Sequence, residues 1–305
     1  MKESIHKYLK VGLISFMAYP STLKGEDPNG LEVIKKVARD EYFDAIEITW
    51  TKDSGQRTEI KKLLEVSHLT VCYGAQPRLL TTGMNANHLD EAERKKAEAT
   101  LIEAIDEAEY MGAKGIAFLS GKWAAETKEQ SYAQLLKTTR NLCDYAKPKG
   151  MNIVLEVFDF DIAKASIIGP APLAARFAAD IRTSHNNFGL LVDLSHIPMT
   201  YETPEFVVRT LKPYIVHFHV GNTVCKDPKA EGYGDEHQRF GFPNGSNDTV
   251  QVLEYLRVLK NEGFFNAENP YVFSFEVKPF KDEDPDTVVA NAKRVLNRAW
   301  ALLED

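Results

Sequence analysis

The chain has 305 residues, 44% hydrophobic and 27% charged, a length that admits two average domains or one large α/β barrel. A formal charge of −7 opposes the attraction to phosphate that nucleic-acid binders gain from clustered Lys and Arg, so a small-molecule partner is expected and nucleic acid is not. No apolar run nears the roughly 20 residues of a membrane helix, the N-terminal MKESIHKYLKVGLISF is too short and broken in its apolar part for a signal peptide, and Cys72, Cys143 and Cys225 offer no disulfide framework, so a soluble cytoplasmic protein with no membrane partner is expected.

Short apolar runs alternate with longer amphipathic ones along the whole chain, the pattern of βα units around a parallel sheet. Strands are predicted at 11–18, 45–49 and 70–74, the third followed by an irregular segment at 76–88. A helix follows over 90–111, with Leu101, Ile105, Ala108 and Met111 on one stripe, charged residues opposite and Gly112 as its stop. Strands come next at 115–119, 152–158 and 188–194, then Thr203-Pro204, a hydroxyl cap before a proline at the first helical position. After the seventh strand, 215–220, an irregular stretch runs over 226–247 before a helix that carries Val252, Leu256 and Leu259 and stops at Gly263. The eighth strand, 271–277, and a last helix, 286–303, complete eight pairs. No linker or composition shift divides them, so the reading is α/β, one (β/α)8 barrel domain over 1–305, with its chemistry at the strand C-termini.

Four consecutive strands end in side chains that can bind a metal: IVLEVFDF, GLLVDLSHIP, IVHFHVGN and VFSFEVKP. Alternation puts Val154 with Glu156, Leu191 with Asp193, His217 with His219 and Ser274 with Glu276 on shared faces, so the last member of each pair can point to the barrel axis. Neighbouring strands lie about 4.8 Å apart, and three carboxylates crowded together at low dielectric are costly without a cation. Glu156, Asp193, His219 and Glu276 are therefore expected to bind one divalent ion; three oxygens and one imidazole favour Mn²⁺ or Mg²⁺, with Co²⁺ or Zn²⁺ allowed. A lone Glu at a strand end is more often a salt-bridge partner than a ligand, and the case rests on the set. His217 reads as a hydrogen-bonded core histidine one layer deeper. Asp159 and Asp161 read as solvated loop acids, and Glu47 either as a site residue or as the partner of an internal Arg or Lys.

At these residues, and in the segments LDEAERKKAEATLIEAIDEAEYMGAKGI and GDEHQRFGFPNGSND, the sequence resembles the xylose isomerase-like TIM barrel family. That family includes sugar and sugar-phosphate isomerases, ketose 3-epimerases, inosose-processing enzymes and apurinic endonucleases. The resemblance implies the same four metal ligands, a substrate-oxygen contact at His196, and proton transfer to and from carbon by Glu156 and Glu276. Arg239 and Lys278 could hold a hydroxyl, carboxylate or phosphate, or be solvated basic residues; Asp235 and His237 could contact substrate or simply order their loop. The Asp235-Glu236-His237 spacing is also that of a zinc site in the apurinic endonucleases, but VCYGAQP and AFLSG lack the histidines that those enzymes carry on strands three and four.

The leading expectation is a divalent-metal-dependent isomerase or epimerase of a sugar, sugar phosphate or related polyol. A dehydratase of a keto-inositol on the same scaffold and a non-catalytic binding barrel are the alternatives; cleavage of abasic DNA ranks last. Neither a P-loop nor a credible GxGxxG is present, so no nucleotide cofactor is indicated. Barrels of this kind often pair, which leaves a homo-oligomer open.

Overall fold

The computed structural model describes residues 3–304. Eight strands, β1 (Leu9–Ile14), β2 (Ala45–Ile48), β3 (Thr70–Tyr73), β4 (Gly115–Leu119), β5 (Asn152–Glu156), β6 (Phe188–Asp193), β7 (Ile215–Gly221) and β8 (Tyr271–Glu276), form one parallel sheet in the order β3-β2-β1-β8-β7-β6-β5-β4. The two ends of that order meet through the parallel bridge Gly74↔Ala117, where Ala75 N–H donates to the Ala117 carbonyl at 2.7 Å. The sheet is thus a nearly closed TIM barrel.

Eight outer helices of at least eight residues surround it among the described residues: α1 (Gly30–Ala38), α2 (Ser54–Ser67), α3 (Glu91–Tyr110), α4 (Lys128–Ala146), α5 (Ala171–Arg182), α6 (Pro204–Leu211), α7 (Thr249–Asn261) and α8 (Pro285–Leu302). Their start signals are physical. Asp90 caps α3 by accepting the N–H groups of Ala92 and Glu93, and Thr203 Oγ1 accepts Phe206 N–H at 3.3 Å ahead of Pro204. None of the described helices is long and apolar enough to cross a membrane.

The strands are covered on both faces and read as continuous apolar runs; every residue of β6 is buried. Beyond shifts of one or two residues at strand ends, the structure departs from the expectation at three points. β1 ends at Ile14 rather than at residue 18, because Ser15–Ala18 turns into a short helix once Ser15 Oγ bonds the Glu47 carbonyl. Within 76–88, residues Gln76–Leu80 are helical, with Pro77 in the first turn. α3 buries Arg94 and Glu107 along with its apolar stripe.

Candidate metal centre at the strand ends

Glu156, Asp193, His219 and Glu276 stand at or near the C-terminal ends of β5, β6, β7 and β8 in a staggered register: Asp193 pairs with His219, while Glu156 is level with Leu191 and Glu276 with Gly221, so that each step of two residues keeps the side chain on the same face. All four are at most 7% exposed. One ligand atom from each lies within 4.8 Å of the others. Donors on opposite sides of a cation at about 2.1–2.2 Å stand some 4.3 Å apart, so the set matches a coordination sphere after small side-chain adjustments. His219 Nδ1 is 2.8 Å from Glu276 Oε2 and 3.3 Å from Glu156 Oε1, and Glu156 Oε1 is buried with no hydrogen-bond donor. No Lys or Arg pairs with any of the four among the described residues; the charges they meet are imidazoles.

That crowding splits the two glutamates. Burial pushes the Glu156 carboxyl up, but the imidazoles of His196 and His219 outweigh it and hold the group at about 2. Burial also pushes the Glu276 carboxyl up, and with Glu156's charge prevails over His237 and His219. Burial would lower the His219 pKa, yet the surrounding carboxylates, Glu47 and Glu276 foremost, raise it well above its ordinary value.

Beside this set lies a second group, Asp193, His196 and His237, again with ligand atoms within 4.8 Å of one another. His196 Nε2 is 3.5 Å from Glu156 Oε1 and 3.6 Å from Asp193 Oδ2, and its ring packs against Phe158 with centroids 4.3 Å apart and planes tilted by 40°. Asp235 Oδ1 stands 2.8 Å from His237 Nε2, while Asp235 Oδ2 stands 2.7 Å from Lys164 Nζ, which meets this carboxylate with an internal cation. His237 has a backbone φ of +50°, an uncommon conformation for a non-glycine residue, and its carbonyl accepts Lys278 N–H at 2.7 Å. Gly221 leaves room for that loop, since a Cβ there would meet the Glu276 carbonyl oxygen at 2.5 Å and His237 Nδ1 at 3.2 Å.

The remaining expectations are placed as follows. Glu47, Asp235, His237 and Lys278 line a cavity of about 400 Å³ together with Glu156, His219 and Glu276. Arg239 does not line it: its Nε donates to Glu283 at 2.8 Å. Lys278 Nζ donates to Glu236 at 2.7 Å. Among the described residues Glu47 pairs with neither Arg nor Lys; it accepts from His217 at 2.8 Å and His219 at 3.1 Å. Asp159 is not a solvated acid. It is fully buried and accepts the N–H groups of Ile162, Ala163, Lys164 and Ala165 at 2.8–3.1 Å, folding the loop that brings Lys164 to Asp235. Asp161 is exposed.

Sequence reasoning missed Lys164 and Gln76, whose Nε2 donates to Glu156 Oε2 at 2.7 Å. Both come from segments that follow strand C-termini, Gln76 from the first residue of the short helix after β3; that position was a signal for Gln76, but nothing in periodicity singles out its side chain. Phe16, Met17, Pro20, Leu23 and Leu80 form an apolar wall of the cavity.

The family model described as xylose isomerase-like TIM barrel matches residues 35–298. Among solved structures, a D-psicose 3-epimerase from Clostridium cellulolyticum H10 with D-tagatose superposes with a TM-score of 0.70 at 17% identity, covering 97% of this chain and 100% of that one. An E. coli 3-keto-D-glucoside 4-epimerase gives 0.69 at 13% identity over 95% and 99% of the two chains. The IolI protein with a bound zinc atom gives 0.72 at 16% identity over 97% and 100%. No curated protein matches the sequence.

Proposed function

The chain belongs to the xylose isomerase-like TIM barrel family, and from that premise we propose that it is a divalent-metal-dependent isomerase or epimerase of a sugar or related polyol. The observation that carries the reading is the convergence of Glu156, Asp193, His219 and Glu276 without a Lys or Arg partner among the described residues, three of them, Glu156, His219 and Glu276, lining a cavity of a size suited to a small ligand. The relatives named as sugar epimerases and the zinc-bound IolI protein support it.

Those four residues would hold the ion, Mn²⁺ or Mg²⁺ by the hardness of the donor set, with Co²⁺ or Zn²⁺ allowed by the imidazole. When bound, such an ion supplies charge neutralisation and polarises a substrate carbonyl. Glu156 and Glu276, on β5 and β8, both line the cavity and serve as the proton-transfer pair: one carboxylate takes the proton from the carbon beside the carbonyl, and the other returns one. Gln76 orients Glu156 through its amide N–H. His196, packed against Phe158 and close to Glu156, contacts a substrate oxygen, and the apolar wall excludes water from the reacting face. Lys278 and Arg239 are each tied to a glutamate, so they fit a loop-ordering role better than capture of a phosphate.

The test is proton exchange. The protein is incubated with Mn²⁺ and a panel of ketoses, aldoses and inososes in D₂O, and the products are read by NMR and mass spectrometry. One substrate should acquire deuterium at a single carbon with no change in composition. Loss of water from the product would mean a dehydratase, and no exchange with any member of the panel would count against the reading.

A further inference from the structure

Glu47 has no part in the proton transfer, yet it is a carboxylate only 1% exposed, on β2, bonded across the barrel lumen to β7, with β1 and β8 between them in the sheet. A single oxygen, Oε1, faces Nε2 of both His217 (2.8 Å) and His219 (3.1 Å), whose rings stand edge to face with centroids 5.1 Å apart. An ionised carboxylate can only accept, so each Nε2 that faces it carries the hydrogen. Nδ1 of His219 is the atom directed at Glu156 and Glu276, 2.8 Å from Glu276 Oε2, so without an ion it carries a hydrogen too; a bound cation would take the place of that hydrogen, and with Nε2–H held by Glu47 the lone pair it meets is the one on Nδ1.

We propose that Glu47 is the positioning residue of the metal centre: its carboxylate, anchored by His217, fixes His219 in the Nε2–H tautomer with Nδ1 aimed into the ligand set. The pairing places His217 and Glu47 one step behind the proposed ligands, and it rests on the metal-binding reading above. Two histidines at i and i+2 on β7 share a face, so one acceptor from β2 can serve both. Loss of such an outer hydrogen bond typically weakens metal binding about 10–100-fold.

Two conservative variants separate position from charge. Glu47→Gln keeps an acceptor oxygen in place and loses the charge; Glu47→Asp keeps the charge and draws it back by one methylene. Metal-stripped wild type and variants are titrated with Zn²⁺ alone by calorimetry, alongside thermal melts of the stripped proteins. The expected result is Glu47→Gln within about threefold of wild type and Glu47→Asp weakened about 10–100-fold. Equal weakening of both, or Glu47→Asp binding like wild type, would overturn the positioning role. A readout that needs no variant is ¹⁵N NMR of the Zn²⁺-loaded wild type, where His219 should be protonated at Nε2; a proton on Nδ1 would overturn the proposal. A wild type that takes up no Zn²⁺ would remove the metal chemistry itself and this role with it, an outcome distinct from variants that fail to separate.

Discussion

A carboxylate at the mouth of a barrel is ordinarily neutralised by the nearest lysine or arginine, and the protein does this repeatedly: Lys164 meets Asp235, Lys278 meets Glu236, and Arg239 meets Glu283. Glu156, Asp193 and Glu276 meet no cationic side chain other than imidazoles among the described residues. Their positions were legible because strand alternation fixes which side chains face inward, and the sequence repeats the same terminal placement on four strands. Asp159 and Lys164 were not legible, because their surroundings are made by a loop that folds around Asp159 through four backbone N–H groups. If Glu156 and Glu276 are the proton-transfer pair, Glu156→Gln and Glu276→Gln should each lower turnover about 10²–10⁴-fold while circular dichroism stays native. Steady-state rates on the substrate identified by exchange decide it, and unchanged turnover in both variants would remove the mechanism.

Among the elements, strand positions were read closely and helix interiors less so. The end of β1 was misjudged because the run through Ala18 is apolar throughout, and composition does not show that the Glu47 carbonyl draws Ser15 into a turn. In α3 the periodicity put charge on the outer face, yet Arg94 is fully buried. Its guanidinium donates to Glu91 at 2.8 and 3.0 Å, to Glu98 at 2.5 Å and to Thr138 on α4 at 2.7 Å, and Thr138 Oγ1 in turn donates to the Ala86 carbonyl at 2.8 Å. Arg94 thereby ties α3, α4 and the segment after β3 together. Arg94→Ala leaves Thr138 without its donor and opens a cavity, at a cost on the order of 3 kcal/mol. Denaturant unfolding should show that loss; a variant as stable as wild type would mean that the buried pairs contribute nothing net.

For the molecule as a whole, the barrel was legible because each βα unit repeats the same local pattern and parallel connections leave few alternatives. The closure was not: β3 and β4 meet through one bridge past the end of β3, a contact set by the curvature of the whole sheet. The same closure gathers the ends of β2, β5, β6, β7 and β8 around one lumen, which is why Glu47 can reach His219 at 3.1 Å. An anomalous-scattering map from crystals soaked in Mn²⁺ tests the account most directly. It should show a peak bounded by Glu156, Asp193, His219 and Glu276, with His219 ligating through Nδ1; a map with no peak among those four side chains, at full soak and with the barrel intact, would contradict it.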